Sequence, residues 1–425
     1  MVDGSFLGDH ARIQDYCHEL LRANPRSTVK LNLDSVPEGT EDQRPYFRRV
    51  YICFAACKQS FKLSRHVIGL DGCFLKGLCG GQILAAIGRD PNDQMLPVAF
   101  AGLLPAMDEL LPNVEQRFCV RHLYNNFRKR FPGKVYKELI WKVAKSTYVQ
   151  AFEREMREIK QLNNDAFVNM MKTPPRCWSR AFFKTTNKCD CVLNNMSESF
   201  NSVILDSMSK TLVSMLEDIR IYCMERWATN RMRFQKLSDD AVLPNIIKKV
   251  EKTSCFTNSW IVRMSDEHYF EVKNVENQAD MLAVNLKDHI CSCRKWELTG
   301  LPCVHALACM KSRNFKYEDY IPECFRKSRY IAVYKSVLYP VNGSNLWVKT
   351  PYPDVRPPKH RRMPGRPKKK RNREQGEIDG TDRKIRRTRL IVRCSRCEKS
   401  GHNKKTCKVL GPDVDTSQVT QSGTS

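Results

Sequence analysis

The chain has 425 residues, 41% of them hydrophobic, which suffices for one large domain or two to three ordinary ones and argues against disorder throughout. With 72 Lys+Arg against 46 Asp+Glu the formal net charge is +26, a surplus that attracts polyanions and repels basic partners. No apolar run approaches the roughly 20 residues of a membrane span, and MVDGSFLGDH does not read as a secretory signal, so the expected setting is a reducing compartment with cysteines in packing or metal binding.

Residues 1–44 are polar and punctuated by Asn24-Pro25 and Pro37-Glu38-Gly39, and read as a lead-in. From Tyr46 the apolar density rises. Val50, Phe54, Cys57 and Phe61 recur at three to four residue spacing, which predicts an amphipathic helix. His66 to Asp71 predicts a short buried strand ending on a carboxylate, and Gln82–Ile87 and Met95–Ala101 follow as two more strands across the turn Arg89-Asp90-Pro91-Asn92-Asp93. Three strands so closely spaced predict an antiparallel meander.

Gln116–Val120 reads as a strand, and from Arg121 to about Gln161 the pattern is helical, with Trp141, Val143, Phe152, Met156 and Ile159 as core positions. Leu212, Leu216, Ile219, Cys223 and Trp227 share one face of a helix running to about Arg233; these and Trp178 are expected in the core. Trp260–Ile290 alternates apolar and polar residues, as strands leading into a Cys/His cluster. Beyond Pro351 there is no hydrophobic period, and disorder is expected. Residues 356–410 carry 21 Lys+Arg and 5 Asp+Glu, so most of the surplus charge sits in this tail.

The most specific signal is Cys291-Ser-Cys293 followed by Cys303-Val-His305, three thiolates and an imidazole that make a complete tetrahedral zinc set. The alternative is three buried cysteines and a core histidine. Gly300-Leu301-Pro302 supplies a turn between the pairs, and Ala306–Met310 can continue as a packed helix. Four protein ligands leave no open position, so such a Zn2+ would be structural.

A second set, Cys394, Cys397, His402 and Cys407, has the spacing of a zinc knuckle, a module that contacts single-stranded nucleic acid. No aromatic residue lies between Cys394 and Cys407, which argues against sequence-specific base readout. Between the two sets, Arg361-Arg362-Met363-Pro364-Gly365-Arg366-Pro367-Lys368-Lys369-Lys370-Arg371 resembles an AT-hook that would lie in an A·T-rich minor groove. It reads equally as a nuclear import signal or a solvated linker. Asp71 and Glu198 are candidate carboxylates for a divalent ion, and Cys119-x2-His122 is half a metal site.

Taken together, Gly69-Leu-Asp-Gly-Cys-Phe-Leu-Lys76, Gly88-Arg-Asp-Pro-Asn92, Arg117-Phe-Cys-Val-Arg-His122, Asn194 to Asn201 and the Cys291–His305 cluster resemble the plant Mutator-like (MuDR-type) transposases, over nearly all of residues 1–350. The last of these matches that family's SWIM zinc finger. The resemblance implies an α/β chain: an RNase H-like core with a helical insertion, here incomplete (45–235), then a small SWIM zinc finger region (236–330). A disordered basic linker (331–392), a CCHC zinc knuckle (393–408) and a disordered tail (409–425) would follow. It also implies three carboxylates holding two Mg2+ or Mn2+ ions for strand cleavage and transfer. Asp71 matches the first and Glu198 the third.

The second carboxylate is absent. In the family a Trp-rich helix and a strand ending in that aspartate separate strings like Pro97–Ala101 and Gly102–Ala106, whereas here Ala101 runs directly into Gly102. The missing strand would lie beside the one carrying Asp71, so that strand should have an open edge. Asp108 and Glu109 are poor substitutes, and the family's N-terminal zinc-containing DNA-binding domain has no counterpart. The expectation is a nuclear, zinc-binding, DNA-binding protein without catalytic activity. Two other readings stand: an active transposase whose missing segment reflects a wrongly joined gene, and an adaptor that binds a protein partner through the SWIM finger.

Overall fold

In a computed structural model the described residues are 6–358, without 37–38, 40, 77–79, 102–113 and 278. The chain opens with helices α1 (Phe6–Ala11) and α2 (Ile13–Ala23) and strand β1 (Thr28–Asp34). β2 (Tyr46–Cys53), α3 (Ala55–Lys62), β3 (Arg65–Phe74), β4 (Gln82–Arg89) and β5 (Met95–Ala101) follow. The five strands form one antiparallel sheet in the order β1-β2-β5-β4-β3. β5 is central and buried along nearly its whole length, while β3 is an edge strand whose residues alternate between half-buried and exposed. The meander expected from 66–101 is therefore present, and the strand that carries Asp71 has an open edge among the described strands.

Four local expectations differ. The segment read as a lead-in supplies α1, α2 and the edge strand β1, with Ile13, Tyr16 and Leu20 fully buried and the polar Asp15, Glu19 and Asn24 buried beside them through hydrogen bonds to residues 339–350. Val50 lies in a strand, and only the part from Ala55 is helical, because β2 finds β1 and β5 as hydrogen-bonding neighbours and tertiary pairing overrides the local period. Residues 116–119 form no strand, and β3 continues past Asp71 to Phe74, since Cys73 and Phe74 still pair with Ile83 and Gln82.

The middle of the chain is helical: α4 (Val120–Phe127), α5 (Lys134–Lys145), α6 (Val149–Leu162) and α7 (Asn164–Met171). These pack around their own core, in which Trp178 is fully buried with its ring 5.9 Å from that of Phe152. α8 (Asn195–Val203) lies on β3 and β4, and the long α9 (Leu212–Arg233) buries Leu216, Ile219, Cys223 and Trp227 on one face, as the spacing requires. α10 (Pro244–Ser254) starts on a proline, whose missing N–H is harmless in a first turn.

The last part holds a second antiparallel sheet in the order β6-β7-β8-β9: β6 (Trp260–Met264), β7 (Tyr269–Asn274), β8 (Met281–Asn285) and β9 (Ile290–Cys291). Two helices, α11 (Lys295–Thr299) and α12 (Val304–Ser312), and then α13 (Lys327–Tyr334) complete it. α12 is buried from His305 to Met310, held between this sheet and α10. Both sheets contribute to one hydrophobic core, joined through α9 and α13, where Trp227 packs edge-on against Tyr334. No described helix is long and apolar enough to cross a membrane.

Candidate metal centre

The four ligands predicted from the Cys/His spacing converge. β9 delivers Cys291, and a tight reversal follows in which Arg294 takes a left-handed φ of 61° and its N–H bonds to the Cys291 carbonyl at 2.6 Å. α11 then turns the chain back and stops at Gly300. There φ is 74°, the N–H closes on the Trp296 carbonyl at 2.7 Å, and a Cβ would press on Lys188 and Phe325 at 3.3 Å. Leu301-Pro302 leads to Cys303 as the N-cap of α12, where its sulfur accepts the Ala306 N–H at 3.5 Å. Burial raises the Cys303 thiol, and the helix-start N–H of Ala306 works against that rise in favour of the thiolate.

Donor atoms of Cys291, Cys293, Cys303 and His305 all lie within 4.8 Å of one another, and all four residues are buried. The His305 Nδ1 stands 3.4 Å from Cys291 Sγ and 3.7 Å from Cys303 Sγ. A tetrahedral zinc with ordinary Zn–S and Zn–N bonds sets S···N edges of about 3.5 Å. The donor set therefore fits Zn2+ in both chemistry and size. Trp260 closes one side with its ring edge-on to His305 at 4.2 Å.

The three sulfurs share protons. Hydrogen bonds from Cys291 and Cys303 hold Cys293 as the thiolate and push its pKa down, while the same contacts raise Cys291. A divalent ion displaces those protons, so metal binding releases protons and weakens in acid. The described cysteines form no disulfides.

Residues that the spacing did not reveal dock the centre on the rest of the protein. The Arg294 guanidinium donates to the carbonyls of Thr147 (3.2 Å), Arg180 (3.1 Å), Ala181 and Phe183, and Thr147 Oγ1 donates to the Cys293 carbonyl at 2.6 Å. Glu297 accepts the Cys291 N–H at 3.2 Å, and burial raises its carboxyl. Nothing in the local sequence marks the partners of Arg294 and Cys293, because they come from the helical region more than a hundred positions away.

The structure also brings Asp71 and Glu198 together. Gly69 allows this. A Cβ there would lie 2.3 Å from Asn194 Oδ1 and 2.8 Å from Ser197 Oγ, so glycine leaves the room these two side chains occupy where the start of α8 rests on β3. Asn194 Nδ2 donates to the Leu70 carbonyl at 2.8 Å, and Asn201 Nδ2 donates to Asp71 Oδ2 at 2.8 Å. Glu198 is ion-paired to Arg121 at 2.5 Å. Burial raises the Asp71 carboxyl and the charge of Glu198 adds to it, while His122 and Asn201 oppose. His122, exposed at the surface, is within electrostatic reach of Asp71. Among the described residues, Cys291, Cys293, Cys303 and His305 are the one group of three or more Cys, His, Asp or Glu gathered closely enough to hold an ion.

The knuckle residues Cys394, Cys397, His402 and Cys407, and the basic residues Arg362, Arg366, Lys368, Lys369, Lys370 and Arg371, lie outside the described residues, as do Asp108 and Glu109.

Taken together, β6–β9, α11 and α12 with a Cys3His donor set define a small zinc-organised module within a mixed α/β protein. Residues 275–314 match the SWIM zinc finger family. No curated protein and no solved structure matches the chain.

Proposed function

We propose that this protein is a nuclear, nucleic-acid-binding descendant of a Mutator-like transposase that no longer cuts DNA. The observation that carries the reading is the SWIM match on a complete, buried Cys3His set, in a chain with a net charge of +26 concentrated after residue 355. Zinc fixes the fold of the finger, and the basic tail supplies affinity by neutralising phosphates. The knuckle at Cys394, Cys397, His402 and Cys407 holds a second zinc and contacts single strands, while the segment around Pro364-Gly365-Arg366-Pro367 lies in A·T-rich minor grooves.

Loss of cleavage is supported by what the carboxylates touch. Asp71 and Glu198 are engaged by Asn201 and Arg121, and the open edge of β3 is where a strand bearing a third carboxylate would pair. The test is fluorescence anisotropy of the intact protein with duplex and single-stranded oligonucleotides between about 50 and 200 mM salt. With six or more phosphate contacts, affinity falls by about 10³-fold or more. Absence of binding, or affinity indifferent to salt, overturns the reading, and absence of binding leaves the SWIM finger as a docking site for a protein partner.

A second reading is favoured by the closeness of Asp71 and Glu198. With an additional segment between Ala101 and Gly102 that restores the third carboxylate, the chain would be an active transposase using Mg2+ or Mn2+. Peptide mass spectrometry of the endogenous protein decides, because the tryptic peptide from Asp90 to Arg117 crosses that junction.

A further inference from the structure

A cavity of about 320 Å³ lies between the turn joining β4 to β5, the loop 188–190, α10 and the wall formed by residues 295–302 of the finger. Its lining carries six cations, Arg65, Arg89, Lys188, Lys249, Lys252 and Lys295, against two carboxylates, Asp93 and Asp190. Asp190 is already paired to Arg180 at 2.8 Å.

Asp93, at a left-handed φ of 60° in the tight turn after β4, is approached by Arg65, by Arg89 at 2.9 Å and by Lys249, three cations on one carboxylate. Arg65 is more than nine-tenths buried, stacks 4.8 Å over Phe325, and its Nε has no hydrogen-bond partner. Lys252 and Lys295 have no ion-pair partner among the described residues. Arg65 and Asp93 are buried at the floor, whereas Lys249, Lys252 and Lys295 are exposed around it, so the cations outnumber the carboxylates and a ligand bearing two negative charges would balance them.

Two titrating groups here are shifted in part by the two arginines. The Lys249 ammonium is pushed down to about 8, by burial first and then by Arg89 and Arg65. The Cys189 thiol is pushed down to about 5 by its hydrogen bond with Cys191 and by Arg89 and Arg65, against its burial. With Cys189 ionised the lining still holds a surplus of cations.

We propose that this cavity is a phosphate-binding site for a phosphate monoester of roughly mononucleotide size. Arg89, Lys249 and Lys252 would contact the phosphoryl oxygens, while Arg65, whose terminal nitrogens already donate to the Lys188 and Asp90 carbonyls and to Asp93, adds its charge and its unpartnered Nε from the floor. A carboxylate ligand would leave more of the charge unmatched, since a phosphate monoester carries about −1.5 to −2 at neutral pH. The volume is at the lower end of small-ligand pockets. Two sources carry this chemistry: a free nucleotide, or the 5′-phosphorylated end of a nucleic-acid strand. Because residues 295–302 lie between Cys293 and Cys303, the metal centre fixes one wall of the site.

The experiment is isothermal titration calorimetry on the intact, zinc-loaded protein. Inorganic phosphate and adenosine 5′-monophosphate are titrated first, then short single strands with a 5′-phosphate or a 5′-hydroxyl. Saturable 1:1 binding of both small probes is expected, weakened at least tenfold in Lys249→Gln/Lys252→Gln, whose changes lie toward the cavity mouth and leave the zinc ligands and the tail intact. A preference for the 5′-phosphorylated strand, abolished by the same variant, assigns the strand end as the source. Equal strand binding alongside phosphate-dependent small-probe binding assigns the free nucleotide. No saturable phosphate or nucleotide binding, or binding the variant does not weaken, overturns the proposal. Salt-dependent binding of both strands through the tail can persist in either case, so failure here is distinct from failure of the nucleic-acid reading.

Discussion

The two clusters of metal-type ligands in this protein form a contrast. In the finger, four donors come from one strand end, one turn and one helix start between residues 291 and 305, all four are buried, and they face one another with nothing charged between them. Asp71 and Glu198 come from an edge strand and a helix far apart in the chain, are half-buried, and each is tied to another side chain. A site built from one short segment carries its own geometry. A site assembled from distant elements depends on everything that packs those elements together.

The largest effect expected from breaking the contrast is on the finger. Zinc binding contributes about 10–16 kcal/mol in isolated zinc fingers. Chelation at neutral pH should therefore expose backbone amides of 281–310 to rapid hydrogen exchange while those of α5 and α6, whose core takes only Leu298 from the finger, stay protected. Protection of 281–310 that survives chelation would show that packing alone holds the finger.

A buried carboxylate elsewhere sharpens the same point. Burial pushes Asp90 up to about 6, against hydrogen bonds from the Gln94 N–H and the Tyr334 hydroxyl. The native state thus holds this proton more tightly than the unfolded chain, and the group's contribution to stability falls as pH rises from about 4 to 6, by roughly 3 kcal/mol. Denaturant melts of wild type and Asp90→Asn should diverge across that window, the variant lacking this fall. Parallel curves would mean that Asp90 titrates normally.

The carboxylate cluster is tested at Gly69. Gly69→Ala forces a methyl group onto Asn194 and should cost about 1–3 kcal/mol by lifting α8 from β3. It should also lower the Asp71 pKa, read from its carboxyl carbon resonance, as Glu198 moves away. An unchanged melting curve would mean that the contact is not what joins the two elements.

Much of this was legible in the sequence where the signal is local. The Cys291–His305 spacing named all four donors, the apolar period over 212–233 gave the observed helix with its buried face, and the short apolar runs of 66–101 gave a meander. Where partners are distant the pattern misled. Val50 has helical spacing but lies in a strand paired to β1 and β5, and the polar segment before residue 45 folds because Ile13, Tyr16 and Leu20 find the main core. The Arg294 clamp and the Arg65–Asp93 cluster left no trace in spacing, since isolated charges are ordinary in a chain with 28% charged residues.

The most direct test of the central claim is zinc content, measured by plasma mass spectrometry on purified, dialysed protein. Cys303→Ala/His305→Ala should hold one zinc per chain fewer than wild type, and Cys397→Ser, in the tail, should leave that zinc in place. Identical zinc content in wild type and the double variant would contradict the assignment of Cys291, Cys293, Cys303 and His305 as a metal centre.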